Sequence, residues 1–199
     1  MLDQQSEEAR PGSPQKRRRI SKPATAAQLE KTALAHINRY ATSAANLRNV
    51  LLRRVERSVR LHGTDRSEAT GWVGEIIAQL LEQRLLDDTA YARGRANSLH
   101  RSGASRRKIT SILQQKGVGR DDVDAALAAL AAKYEDSDIV AACNYARRRR
   151  LGPHRLPEAR EEFRERDLAV LARAGFGYVA ARRVIEAQSV EDLETNVLA

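Results

Sequence analysis

The chain has 199 residues, a formal charge of +9 and a sequence pI near 10.2. Aromatic residues make up 4% with a single Trp, which argues against one large aromatic-rich core and leaves room for a string of small domains. The charge favours a polyanionic partner, whether nucleic acid, an acidic protein groove or anionic lipid, and the one cysteine, Cys143, excludes a disulfide framework within the chain.

Ala, Leu and Arg dominate, a composition that favours helix. Six of the 35 basic residues are Lys, so the positive charge is mostly guanidinium. Residues 1–10 are acidic and polar without the apolar stretch of a secretory signal. No run of 18 apolar residues is present. A reducing, cytoplasmic setting without membrane association is expected.

In chain order, residues 1–25 carry Pro11, Gly12, Pro14 and Pro23 around Lys16-Arg17-Arg18-Arg19 and read as a disordered basic tail. The basic run fits a nucleic-acid-binding arm, an import signal or a solvated cluster. Residues 26–84 form a first helical module. Ala33, Ile37, Tyr40, Ala41 and Ala44 recur at helix spacing, with Ser43 as a break. Leu47, Val50, Leu51, Val55 and Val59 make a second stripe, and His62-Gly63-Thr64-Asp65 a turn. Val73, Ile76, Ile77 and Leu80 make a third, flanked by Trp72 as a packing residue.

Residues 85–133 read as a second module. Asp87 is the expected N-cap, with Leu86 and Tyr91 in hydrophobic-staple positions and Asp88 in the first turn, where the helix dipole favours an anion. Ser102-Gly103-Ala104-Ser105 is a turn that ends in a second N-cap. The next helix turns Ile109, Ile112 and Leu113 inward and stops at Gly117 in the C′ position. Asp121 is the expected cap of a third helix with Val123, Ala126, Leu127 and Leu130 inward.

Residues 134–190 read as a third module and 191–199 as a C-terminal tail. Gly152-Pro153 should end any helix before it. The module repeats the second at a shift of 58: Leu113-x-x-x-Gly117-Val118 returns as Leu171-x-x-x-Gly175-Phe176, Ile112 as Val170, and Ala126-Leu127 as Val184-Ile185. A fainter echo sets Leu47 and Leu51 on Ile109 and Leu113, with Val55 where Gly117 would fall. Units of this size have thin cores and gain from stacking. Nothing alternates with the period of a strand. The expected fold is all-α, an elongated tandem array of three-helix modules.

No reactive constellation is evident. His36, His62, His100 and His154 are far apart, and none pairs with Cys143 at metal-ligand spacing. Cys143 sits among Ala141, Ala142 and Ala146 as a small core residue. Gly117-Val118-Gly119 follows a helix rather than a strand, so it fails as a dinucleotide loop. No catalytic residue, metal or cofactor is expected.

The basic clusters carry the functional expectation: Arg95, Arg101, Arg106, Arg107, Lys108 and Lys116 in the second module, Arg147, Arg148, Arg149, Arg150, Arg182 and Arg183 in the third. Arg106 and Arg107 fall in a helix's first turn, where their charge opposes the dipole, a placement that points to a partner. Guanidinium forks suit phosphates and carboxylates. The competing reading is a solvated surface neutralised by Glu161, Glu162, Glu165 and Asp167.

The ordered set Leu86-Asp87-Asp88, Tyr91-Ala92, Gly103, Ile109, Leu113 and Lys116-Gly117-Val118 resembles the RecX regulatory proteins of bacterial recombination, with weaker similarity from about Ala33 to Ile185. The resemblance implies an array of three-helix modules that lies in the groove of the RecA filament on single-stranded DNA, without a cofactor. It further implies inhibition of strand exchange, ATP hydrolysis and co-protease activity. The sequence departs from the family in carrying Arg95 and Ala96 where an aromatic and an aliphatic residue are common, Leu99 for an Arg and Ile112 for a Glu. The expected protein is a monomeric, non-enzymatic regulator whose partners are that filament and, more weakly, DNA, single-stranded above double-stranded. The alternative is a helix-turn-helix-like DNA-binding protein that acts without RecA.

Overall fold

The computed structural model describes residues 22–193. The basic run at 16–19 lies outside the described residues. The helices are α1 (Ala26–Ile37), α2 (Ala44–His62), α3 (Arg66–Glu82), α4 (Asp88–Arg101), α5 (Arg106–Gln115), α6 (Arg120–Lys133), α7 (Ser137–Arg149), α8 (Arg160–Arg173) and α9 (Tyr178–Ile185). Two short 3-10 turns, Gly152–His154 and Pro157–Ala159, connect α7 to α8. Among the described residues there is no strand, so the all-α expectation holds.

Side-chain caps start most of these helices. Thr25, Ser43, Asp65, Asp87, Ser105 and Asp136 each accept a hydrogen bond from a backbone N–H in the first turn that follows. Each such cap satisfies an otherwise orphaned donor and contributes about 1 kcal/mol. The expected cap at Asp121 is not one of them. Gly119 takes the N-cap position of α6 with extended backbone, and Asp121 falls in the first turn beside Asp122, where both carboxylates still favour the dipole.

The buried side chains form three clusters. One joins α1, α2 and α3 through Leu29, Leu47, Leu51, Val55, Val73 and Ile77. A second joins α4, α5 and α6 through Ala92, Ala96, Ile109, Leu113, Val123 and Leu127. A third joins α7, α8 and α9 through Ile139, Ala142, Leu168, Leu171, Phe176 and Val184. Trp72 packs against the first as expected. Burying one such aliphatic side chain is worth roughly 1.5–3 kcal/mol. Cores this rich in Ala therefore have little margin against the entropy of ordering their helices.

Several sequence expectations need correction. The first stripe does not run on to Ala44: α1 stops at Ile37, Tyr40 is half exposed, and Ser43 caps a new helix. Leu86 turns into the first core, while Tyr91 packs against the second, rather than the two closing a staple. Leu86 thereby crosses the boundary expected at residue 85. The C-terminal end is also more ordered than a tail from residue 191: residues 190–193 are helical, Ser189 and Asp192 cap each other reciprocally, and Leu193 is buried in the third core.

The 58-residue echo is a structural repeat. Gly117 and Gly175 end α5 and α8 with φ of +71° and +93°, and Val118 and Phe176 after them are buried. The first unit has no such stop. Val55 is buried in α2, which continues to His62 before Gly63 ends it at φ +66°.

Candidate interaction surface

Two joints connect the three helical units, and they share one geometry. At the first, the Ser43 hydroxyl accepts from the Asn46 amide and donates to the Lys116 carbonyl. The Ala44 amide donates to Asp88 Oδ1 at 2.8 Å. At the second, the Ser105 hydroxyl accepts from the Lys108 amide and donates to the Ala174 carbonyl at 2.8 Å. The Arg106 amide donates to Asp138 Oδ1 at 2.9 Å. Each joint thus seats the N-terminus of one unit's second helix on the C-terminus of the next unit's second helix. A carboxylate from the next unit's first helix sits at the positive end of the dipole, where it is favoured.

Both helix-ending glycines are required by the joints as well as by their φ. A Cβ on Gly117 would lie 2.3 Å from the Ala45 Cβ, and one on Gly175 would lie 2.8 Å from the Ser105 hydroxyl and 3.6 Å from the Arg107 Cβ. The second joint adds two contacts. Buried His100 donates from Nε2 to the Ser137 carbonyl at 2.7 Å, and a Cβ on Gly103 would meet the Tyr145 backbone nitrogen at 2.6 Å.

The joints place the expected site residues unequally. Arg106, Arg107 and Lys108 are exposed on the first turn of α5. Arg106 and Arg107 line an open recess of about 510 Å³ with Thr110, Gln114, Asp138 and Gly175. Asp138 there offsets the dipole conflict seen in the sequence. Lys116 is part of the first joint, its Nζ donating to Asn46 Oδ1 at 3.4 Å. Arg95 is exposed on α4 and shares a recess of about 440 Å³ with Tyr91, Asn46 and Lys116. Arg101 is exposed at the end of α4.

In the third unit Arg147, Arg148, Arg149 and Arg150 are all exposed. Arg147 donates to Asn144 at 3.3 Å, Arg148 to the Ser102 carbonyl across the second joint, and Arg149 stacks over Tyr145. Among the described residues none of the four has a carboxylate partner in an ion pair. Two of the four acidic residues of α8 pair elsewhere: Asp167 with Arg155 and Glu165 with Arg164. Arg182 is different. It pairs with Glu186 at 2.7 Å, a carboxylate it shares with Arg164. Arg164 and Arg182 hold the Glu186 carboxyl below its ordinary range. Arg183 is exposed beside it.

Of the motif residues, Asp87 caps α4 and Ile109 and Leu113 are buried. Asp88 is a joint residue rather than only a dipole partner. Cys143 is half-buried against the third core, and burial pushes its thiol up to about 11, far from a nucleophile at neutral pH. Among the described residues no group of three or more His, Cys, Asp or Glu is placed to hold a metal ion.

Sequence reading missed a second set of residues. Phe163, Arg166, Asp167, Val170, Arg173 and Ala174 form one stripe of α8 and line an open pocket of about 470 Å³ with Tyr145, Arg149, Leu151 and Arg155. Their helical spacing was a usable signal. So was Ser43, which the 62-residue shift from Leu47 to Ile109 carries onto Ser105. Asp138 had no such signal, because the first helices of the units are offset differently from the second.

Fold and joints together define a class: an all-helical protein of tandem three-helix units, with exposed guanidinium groups that form no ion pair among the described residues. A family model described as the second three-helix domain of RecX matches residues 87–127. The chain is 45% identical over 184 residues to the regulatory protein RecX of Myxococcus xanthus (strain DK1622), covering 90% of this chain and 97% of that protein. It is 32% identical over 163 residues to the regulatory protein RecX of Agrobacterium fabrum (strain C58 / ATCC 33970), covering 82% and 84%. A crystal structure of a regulatory protein RecX superposes with a TM-score of 0.55 at 20% identity, over 81% of this chain and 72% of that one. The chain belongs to the RecX family of regulatory proteins.

Proposed function

We propose that the chain is a non-enzymatic regulator of RecA that lies along the RecA filament on single-stranded DNA and inhibits its recombinase, ATPase and co-protease activities. The observation that carries this reading is the twice-repeated joint. A hydrogen-bond pattern repeated at both joints supports reading 26–84, 85–133 and 134–190 as units that present equivalent faces in succession. A repeating nucleoprotein groove is a partner that fits such a succession. The guanidiniums of Arg95, Arg101, Arg106, Arg107 and Arg147 to Arg150, which form no ion pair among the described residues, supply with Lys108 charge complementary to phosphates or acidic side chains. Each exposed contact is weak, and three linked units make the sum useful through effective concentration. A monomer suffices for this, and no cofactor enters. No helix among the described residues is long and apolar enough to cross a membrane.

The test is RecA-dependent ATP hydrolysis on single-stranded DNA, with the wild-type chain and with Arg106→Ala/Arg107→Ala. Alanine removes the charges without adding a carboxylate beside Asp138. The wild type should suppress hydrolysis and the double variant should need a several-fold higher concentration, with unchanged helicity by circular dichroism. Equal suppression by both proteins would discard the α5 face. A second reading, a DNA-binding protein that acts without RecA, draws support from the arginine–aromatic pocket on α8. Equal binding to single-stranded DNA with and without RecA at matched salt would favour it.

A further inference from the structure

The pocket between α7 and α8 has a composition that the filament reading does not use. Four guanidiniums enter it, from Arg149, Arg155, Arg166 and Arg173, against one carboxylate, Asp167. That carboxylate is saturated. It is 1% exposed, accepts two bonds of 2.7 Å from Arg155 and accepts the Gly152 amide at 2.9 Å. Among the described residues Arg149, Arg166 and Arg173 form no ion pair.

Aromatic rings hold two of these forks. Arg149 lies over Tyr145 at 5.8 Å and Arg166 over Phe163 at 5.7 Å, while Arg155 covers Phe163 at 4.5 Å. Stacking on a ring face orients a guanidinium yet leaves its in-plane N–H donors free. The result is a set of oriented, unspent donors around a cavity of about 470 Å³, within the range of small-ligand sites.

We propose that this pocket is a subsite for single-stranded nucleic acid, which takes a phosphodiester between Arg149, Arg166 and Arg173 and sets the adjoining base against Tyr145. The proposal deepens the filament reading and rests on it only in taking nucleic acid as the partner. A phosphodiester offers oxygens in several directions, which suits converging forks. Interleaved rings and guanidinium planes offer stacking to any base, which an acidic peptide does not use. The recess admits an unstacked nucleotide, and a duplex keeps its bases inside. The recess of Tyr91, Arg95 and Lys116 lies beside the first joint, as this pocket lies beside the second. Aromatic and cationic groups thus recur one unit apart, as a strand crossing both units requires.

The test measures binding of a short fluorescent oligothymidylate by anisotropy across a salt series, with the full chain and with Arg166→Ala/Arg173→Ala. Both side chains are exposed, so helicity by circular dichroism should be unchanged. Affinity should fall by about tenfold at fixed salt. The slope of log K against log salt should shrink by about 0.7, the contribution of one neutralised phosphate on a single strand. Arg149→Ala, on the opposite wall, should weaken binding in the same direction. Unchanged affinity and slope in both variants would overturn the proposal, as would a wild type that fails to bind oligothymidylate at low salt. An equal loss of binding to polyglutamate would make the pocket an acidic-peptide site instead. The RecA ATPase assay separates this from the broader reading. A wild type that leaves hydrolysis unaffected but loses oligothymidylate on substitution keeps the pocket and discards the filament. Variants that still bind oligothymidylate while the wild type suppresses hydrolysis discard the pocket alone.

Discussion

Asp167 carries the most concentrated chemistry at a single position. Burial alone would raise its pKa, but hydrogen bonds from Arg155 and from the Gly152 amide outweigh that and hold the carboxyl below its ordinary value. A depressed carboxyl stabilises the fold above its unfolded pKa of about 3.9, and that contribution disappears as pH falls through the lower folded value. Asp167→Asn should therefore cost about 2–3 kcal/mol at neutral pH, less than the 3–5 of a fully buried pair because Arg155 is partly exposed. Urea midpoints at pH 7 and pH 3 check this: the gap between wild type and variant should shrink in acid, and a gap of equal size at both would show that the ion pair is not its source. Gly117→Ala is the backbone counterpart. It places a Cβ at positive φ and against Ala45, so a loss of at least about 2 kcal/mol is expected in the same titration.

At the scale of elements, the helices were largely legible because their signals are local. A cap at Asp87 or Ser105 needs only a side chain and the next turn, and a glycine stop at Gly117 needs only its own φ. Where local signals conflicted, reading failed. The break expected at Ser43 is present as the cap of α2, but the spacing from Ala33 to Tyr40 hid the turn at residues 38–40 that ends α1 earlier. Asp121 is a good cap by type, but Gly119 reached the extended N-cap conformation first. The joints show why one hydroxyl can matter more than its cap. Ser105→Ala loses both the Lys108 amide cap and the bond to Ala174, whereas Thr25→Ala loses only a cap. Thermal unfolding should show Ser105→Ala costing about 1 kcal/mol more than Thr25→Ala. Equal costs would mean that the joint bond contributes nothing net.

For the whole molecule, three thin cores leave stability dependent on the joints. Trp72, the single tryptophan, packs on the first core, so its fluorescence reports that unit while circular dichroism reports all helices. In the wild type the two urea transitions should coincide. In Ser43→Ala/Asp88→Ala, which removes the donor to the Lys116 carbonyl and the acceptor of the Ala44 amide, they should separate. Coincident transitions in the variant would show that the units are coupled by something other than these bonds. The same joints bear on function under the proposed reading, because they hold each unit against the next. The double joint variant should accordingly inhibit RecA-dependent ATP hydrolysis more weakly than the wild type even though it retains every exposed arginine.

Helical content, most caps, the 58-residue repeat and the basic character were decided by the sequence itself, since each depends on neighbours a few residues apart or on composition. Which acid meets which arginine was decided only by tertiary structure. Asp88 and Asp138 reach from their own helices to seat another, Glu186 pairs with Arg182, and Arg166 and Arg173 line a pocket with Tyr145 of a different helix. Charge acts through space, and the distances that set it arise from packing between segments that lie far apart along the chain.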